Sequence, residues 1–420
     1  MVAPIATRFL NFASHIDQTT KSFKPVFMNP LMLCSVQMIY VSNLTCDPGS
    51  PTHVLKSIIN VPENQQSVVP GGFVNTINDI TMLIFNPTTI QILEYIIFEI
   101  SLNMEHKDIY AKTPLLESIT LSRLCGIPAY MKMDNVQPSG SYKIRGISNF
   151  VLNMKKYGVK RIVSASGGNA GMATAYTGKL LQIPTTVVIP ESTPKLMVAK
   201  LEDQKAFVQI SGRNWNEAQE KALKIAEDSE TEYVHPFHHP LIWKGIEPIV
   251  DEILEQCPLP VSAIVLSVGG GGLLCGVLQG LIKLGLKIPV IAMETQGAHC
   301  FNAALKAGKP VSIGEITSIA KTLGALSVTP RVFDLLPESN VISKVASDKE
   351  AIYACERFID DERCLVEPSC AVSLSAAYSN IISDLVAEGK IKKDGAVVFI
   401  VCGGNGITIK QLEEWKKIVG

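Results

Sequence analysis

The stretch AIVLSVGGGGLLCGVLQGLIKLG, residues 263–285, decides the fold class. It opens with six almost wholly apolar residues, passes through four consecutive glycines, and continues with apolar residues at 273, 274, 277, 278, 281 and 282, a helical spacing that stops at Gly285. A strand that is apolar along its whole length is buried on both faces, which is the situation of a parallel sheet covered by helices. The same alternation recurs on either side. RIVSA (161–165) precedes NAGMATAYTGKLLQ (169–182), TTVVIP (185–190) precedes PKLMVAKLED (194–203), and FVQIS (207–211) precedes NWNEAQEKALKIAED (214–228). Downstream come VIAMET (290–295), helices expected at about 348–361 and 369–388, and AVVFIVC (396–402). From about Lys107 onward the chain therefore reads as repeated βαβ units in an α/β fold.

With 420 residues there is room for two domains and a substantial core. A net charge of -1 and a charged fraction of 18% select neither nucleic acid nor an anionic membrane as partner. The ten cysteines are scattered without a C-x-x-C pair, which argues against a zinc module or a disulfide framework and for reduced thiols in the cytoplasm. Residues 1–105 read differently, as an extension of undetermined structure: apolar residues clump in TMLIF and IQILEYIIFEI without a helical stripe. The uncharged run Pro25 to Cys46 has the length of a membrane span, but Asn29, Pro30, Ser35, Gln37, Ser42 and Asn43 interrupt it. No signal-peptide pattern opens the chain, so the Asn43-Leu-Thr glycosylation triplet lacks a secretory context. A chain starting near Met104 is expected to fold and act without this extension.

Two glycine-rich segments each follow a strand and open a helix: SASGGNAG (164–171) and SVGGGGLLCG (267–276). Glycines there let a ligand approach the backbone, and free helix N-terminal amides favour a negative group. The four glycines Gly269, Gly270, Gly271 and Gly272 point to phosphate. The dinucleotide pattern G-x-G-x-x-G fails at Cys275, although Glu294 lies about twenty residues on, where that fingerprint expects an acid, and a nucleotide-dependent oxidoreductase stays open as an alternative. A Walker loop is excluded because no G-K-[ST] follows. Upstream, QPSGSYKIRGISNF (137–150) sets one lysine, Lys143, at a loop-to-helix boundary. A phosphate cradle with a lysine is what an enzyme using pyridoxal phosphate would need.

Taken in order, QPSGSYKIRG, SGGNAG, SVGGGGLLCGVLQG, VEPSCAVSLSA and VCGGN resemble the fold-type II pyridoxal-phosphate enzymes, and within them the serine/threonine dehydratases of the serine dehydratase-like kind, over roughly residues 106–416. The resemblance implies a tryptophan synthase β-like fold with two doubly wound parallel-sheet domains: a large one of 106–140 and 241–420, a small one of 141–240, and the cofactor in the cleft between. It implies that Lys143 forms the Schiff base and later removes the substrate Cα proton, with Tyr142 beside the cofactor ring. Asn169 would bond the 3-hydroxyl, and Gly269 to Gly272 with Leu273 would hold the phosphate. Cys402 would face the pyridine nitrogen, where a thiol leaves the ring a weaker electron sink than a carboxylate would. Ser166, Gly167, Gly168, Asn169 and Ala170 would receive the substrate carboxylate. Gly167 stands where some relatives carry alanine, and the missing methyl would loosen that loop. A monovalent cation such as potassium would sit near Glu294, with backbone oxygens of Gly269, Ala298, Leu323 and Ala325; Cys300, in place of serine, is a poor ligand for a hard cation.

The implied reaction is β-elimination, converting L-serine to pyruvate and ammonia and L-threonine to 2-oxobutanoate and ammonia, in a homodimer with small amino acids as substrates. Serine racemisation, β-replacement, and a non-catalytic relative with a blocked cleft are the alternatives. His235, His238 and His239 read as a connecting loop rather than a metal site, and DDER (360–363) as a solvated helix end.

Overall fold

The computed structural model describes residues 109–420. The extension 1–105, with its uncharged run, the Asn43 triplet and the start at Met104, lies outside the described residues. Two sheets organise the rest. The larger contains β1 (Leu115–Glu117), β2 (Ala129–Lys132), β7 (Val261–Ser267), β8 (Val290–Thr295), β9 (Val341–Ala346) and β10 (Ala396–Ile400), in the order β1-β2-β10-β7-β8-β9. Only β1 runs antiparallel to its neighbour. The smaller contains β3 (Arg161–Ser164), β4 (Thr185–Ile189), β5 (Phe207–Ile210) and β6 (Thr231–Tyr233), all parallel in the order β5-β4-β3-β6.

The stretch 263–285 folds as read: β7 is followed by the glycine loop and α8 (Gly272–Lys283). β7 lies between β10 and β8, and Ala263, Ile264, Val265 and Leu266 are fully buried. Before it, α1 (Ile119–Cys125) links β1 to β2, and α2 (Lys143–Lys156) carries the chain to the small sheet. There α3 (Asn169–Leu181), α4 (Lys195–Asp203) and α5 (Trp215–Ile225) alternate with the strands. The return passes through α6 (Pro240–Ile246) and α7 (Pro248–Gln256). After β8 come α9 (Cys300–Ala307), α10 (Arg331–Leu335), α11 (Asp348–Glu362), α12 (Pro368–Tyr378), α13 (Ile381–Ala387) and α14 (Ile409–Val419).

Three local expectations need correction. The single helix expected at 369–388 is two, because Asn380 takes a left-handed conformation (φ 60°) that ends α12 and starts α13 at a new angle. Strand β5 is not a buried strand: as the sheet edge it leaves Phe207 and Ile210 exposed. DDER is not simply solvated, since Asp361 accepts hydrogen bonds from Arg357 and the Tyr378 hydroxyl (3.1 Å), and Glu362 accepts one from Ser118. These contacts fasten the end of α11 to α12 and to the N-cap of α1.

Candidate active site

Lys143 is the first residue of α2. The preceding Pro-Ser-Gly-Ser turn docks on the loop after β10: Tyr142 N–H donates to Cys402 O (3.0 Å), Gly404 N–H donates to Gly140 O (2.9 Å), and Ser141 bridges Gly403. Gly140 has φ +77°, and a Cβ there would lie 2.7 Å from the Asn405 side chain, so glycine is required. The Lys143 amine reaches Tyr142 Oη at 3.3 Å and Pro236 O at 3.4 Å, and lies 5.1 Å from the Tyr142 ring centre. Both bonds are long for an ammonium donor, which leaves the amine loosely held.

Helix α6 is a spacer that sets α2 relative to α8. A Cβ on Gly146 would meet Ile242 O at 2.6 Å, and one on Gly245 would meet Arg145 O at 2.5 Å, so α2 and α6 cross with backbone nearly touching backbone. On the opposite side, a Cβ on Gly276 of α8 would lie 2.4 Å from Ile246. Behind the lysine, Arg145 is fully buried and bonds Asp134 (2.6 and 2.8 Å) and Glu252 (2.7 and 2.9 Å) with paired nitrogens. Lys132 completes this cluster at 2.6 Å from Glu252. Burial opposes the Asp134 charge, but the Arg145 guanidinium prevails and holds that carboxyl below its usual range.

Each glycine of the 269–272 loop has a steric reason within the protein. A Cβ on Gly269 would press Leu323 O at 2.7 Å, those on Gly270 and Gly272 would press Phe237 at 2.4 and 3.0 Å, and Gly271 has φ +89°. No side chain caps α8, so the amides of its first turn remain for a ligand. Helix α3 likewise begins without a side-chain cap, at Gly168, above the Ser166–Ala170 loop. The methyl absent from Gly167 is replaced in space by Thr193: a Cβ at 167 would lie 2.7 Å from Thr193 Cγ2, so the loop is packed rather than loosened.

Asn169 donates its Nδ2 to Glu367 Oε1 (2.6 Å), and its Oδ1 accepts from Asn405 N–H (3.0 Å). Glu367 also accepts from Thr322 Oγ1 (2.5 Å) and Gly406 N–H (3.3 Å). Its burial pushes the carboxyl up, while the Thr322 hydroxyl, the Asn169 amide, Gly406 N–H and the Lys143 charge pull it back. The 321–325 segment joins the two helix starts, since Leu323 backs Gly269 and Thr322 lies 3.6 Å from where a Gly168 Cβ would be. Cys402 Sγ sits 3.4 Å from Ser267 Oγ at the ends of β10 and β7. Contacts tie these segments together: Lys143 reaches Pro236 O, and the next residue, Phe237, packs on Gly270 and Gly272; Tyr142 N–H bonds Cys402 O; and Glu367 joins Asn169 to Thr322, whose neighbour Leu323 backs Gly269.

Of the residues implied for a cation, Glu294 is fully buried and accepts amide bonds from Phe301 (2.8 Å) and Asn302 (2.7 Å), capping α9; burial raises its pKa to about 8. Cys300 directs its thiol at Gly269 O (3.5 Å), and burial pushes that thiol up to about 12. Leu323 and Ala325 are buried nearby, and Ala298 N–H bonds Thr295 O. The histidines behave as loop anchors. His235 Nδ1 accepts from Phe237 and His238 N–H, His238 pairs with Thr329, and His239 caps α6. No group of three or more His, Cys, Asp or Glu that could hold a metal occurs among the described residues.

Sequence reading missed Glu367, Thr322, Asn405 and Phe237 as site residues. Glu367 stood inside the quoted VEPSCAVSLSA, but nothing in its local sequence set it apart from a solvated carboxylate. The residues present fit pyridoxal phosphate: uncapped glycine-loop amides suit a phosphate, a loosely held amine suits an aldehyde, and a pinned asparagine amide suits a ring oxygen.

The chain matches the pyridoxal-phosphate dependent enzyme family over residues 107–403. It is 49% identical over 310 residues to the mouse (Mus musculus) protein serine dehydratase-like, covering 73% of this chain and 94% of that one. It is 46% identical over 320 residues to the human (Homo sapiens) L-serine dehydratase/L-threonine deaminase, covering 76% and 98%. Among solved structures, the fungal L-serine ammonia-lyase from Rhizomucor miehei superposes with a TM-score of 0.69 at 32% identity, covering 74% of this chain and 98% of that one.

Proposed function

The chain belongs to the pyridoxal-phosphate dependent enzymes, and from that premise we propose that it deaminates L-serine to pyruvate and ammonia, and L-threonine to 2-oxobutanoate and ammonia. The relatives that support this reading are an L-serine dehydratase/L-threonine deaminase and an L-serine ammonia-lyase. When bound, pyridoxal phosphate supplies an electron-accepting ring that makes the substrate Cα proton acidic.

The protein's part is to bind, orient and move protons. The Gly269 to Gly272 loop and Leu273 would hold the phosphate with their amides and the dipole of α8. The amide of Asn169 would donate to the 3-oxygen, and Tyr142 would flank the ring. The Cys402 side chain would stand by the pyridine nitrogen, where no carboxylate is supplied to enforce a positive ring. Ser166, Gly167, Gly168, Asn169 and Ala170 receive the substrate carboxylate at the uncapped start of α3. Lys143 Nζ takes the Cα proton, for which its long contacts to Tyr142 and Pro236 leave it free to swing. Overall, the Cα proton and β-hydroxyl leave, water replaces the amino group, and an oxo acid and ammonium are released. A potassium ion bound beside Glu294, with oxygens of Gly269, Ala298, Leu323 and Ala325, would brace the glycine loop despite Cys300; unchanged turnover with tetramethylammonium in place of potassium would discard that part. The enzyme is further read as a cytoplasmic homodimer, to be tested by sedimentation of the purified chain and by fractionation of cells.

The observation that carries the proposal is a loosely held lysine amine at Pro236 O, with the next residue, Phe237, packed on the uncapped, glycine-led start of α8. The deciding experiment is oxo-acid release from serine by the cofactor-loaded protein and by Lys143→Ala. Activity in the wild type, lost by at least about 10⁴-fold in the variant with cofactor still bound, is the expected result. Cofactor binding without any oxo acid would turn the assignment to racemisation or replacement.

A further inference from the structure

Glu367 is the N-cap of α12, yet its carboxylate makes no bond to its own helix. It is turned instead into the cleft, 3% exposed, with three donors on its two oxygens: Asn169 Nδ2, Thr322 Oγ1 and Gly406 N–H. The chain is shaped around it. Gly404, with φ +146°, would place a Cβ 2.0 Å from Glu367 Cδ, so only glycine lets the 403–406 loop cross the carboxylate. Two residues on, Ser369 Oγ accepts Leu323 N–H (3.2 Å), so the start of α12 also holds the segment that backs Gly269.

Consider the Asn169 amide. An amide can present either its oxygen or its nitrogen to a neighbour. The Asn405 N–H only donates, so the amide oxygen must face Asn405, and the amide nitrogen is left to face Glu367 Oε1, the oxygen that also accepts from Thr322. Both ends are committed, and the second N–H on Nδ2 is the group left to donate elsewhere. We propose that Glu367 is a positioning residue that fixes the orientation of the Asn169 amide, so that this remaining N–H is offered to the cofactor. The inference rests on the reading of the cleft given above.

Glutamine at 367 keeps the size but offers an NH2 as readily as an oxygen, so it no longer guarantees an acceptor that holds the Asn169 Nδ2 in place against the pull of Asn405 on the other end. The test is a double-mutant cycle on the full chain: wild type, Glu367→Gln, Asn169→Ala and the double variant, read by pyridoxal phosphate dissociation constant and by the visible absorption of the bound cofactor. Glu367→Gln is expected to weaken cofactor binding about tenfold and to change the visible band, whereas in the Asn169→Ala background the same substitution costs less than about twofold. An equal penalty in both backgrounds, or wild-type affinity and an unaltered band in Glu367→Gln, overturns the proposal. Glu367→Asp, which keeps the charge but withdraws it by one methylene, repeats the cycle if the glutamine variant fails to fold. A wild-type chain that binds no cofactor would instead overturn the functional reading itself.

Discussion

Replacing Gly146 by alanine tests whether the contact of α2 with α6 places the catalytic lysine. The added Cβ would lie 2.6 Å from Ile242 O and 2.7 Å from Ile242 Cγ2. Ordinary contact begins near 3.4 Å, so the methyl is about 0.8 Å too close, and the first atom it meets is backbone and cannot rotate away. Relief requires α2 to move off α6 by most of that distance. Overpacking of this kind costs ~1–3 kcal/mol, and alanine in a helix interior returns about 1 kcal/mol relative to glycine. The net loss of stability is therefore ~0–2 kcal/mol, or a melting temperature lower by at most a few degrees for a chain of this size. Activity should fall much further, because Lys143 lies one turn away and an ångström of misplacement can cost about 100-fold in rate. The assay is kcat for oxo-acid release from serine beside thermal melting of the same preparation. A variant with kcat within about twofold of wild type would refute the argument that this crossing sets the lysine's position.

Two further outcomes follow from the same geometry. Arg145→Met should strand Asp134 in the core and cost ~3–5 kcal/mol in urea unfolding; a loss below about 1 kcal/mol would mean that the cluster is not buried as described. His235 is held neutral well below its usual range, at about 4, by burial and by the nearby charges of His238, Lys143 and His239. Between pH 4 and 6.5 the unfolded chain takes up a proton at this residue that the folded chain refuses, so the stability contributed is complete above 6.5 and is lost as pH falls towards 4. His235→Asn, which retains an acceptor for the Phe237 and His238 amides, should flatten that limb of the pH–stability curve; an unchanged slope would assign the acid loss to other groups.

The parts of the site that were legible in sequence are those where backbone chemistry leaves a compositional trace. A fully apolar strand leading into four glycines admits few structures, and β7 with α8 adopted the expected one. Lys143 at a loop–helix boundary and Asn169 behind two glycines were visible for the same reason. Glu367 was not, because its importance comes from partners 198, 45 and 39 residues away, and no local pattern distinguishes such a carboxylate from a solvated one. The glycines at 269 and 270 were legible, but their cause was only half so: the backbone of Leu323 and the ring of Phe237 need those positions bare, whatever ligand arrives.

Periodicity and glycine placement, then, determined the class of fold and the segments that carry the chemistry, since both act through neighbours along the chain. Only the tertiary structure decided how those segments meet. The spacing of the lysine from the glycine loop is set by a seven-residue helix wedged between α2 and α8 through bare glycine contacts, and the Asn169 amide is held between a carboxylate from a distant helix and the Asn405 N–H. Close backbone approach and the pairing of donors with acceptors are properties of assembled surfaces, and they exist only once the two sheets have been brought together.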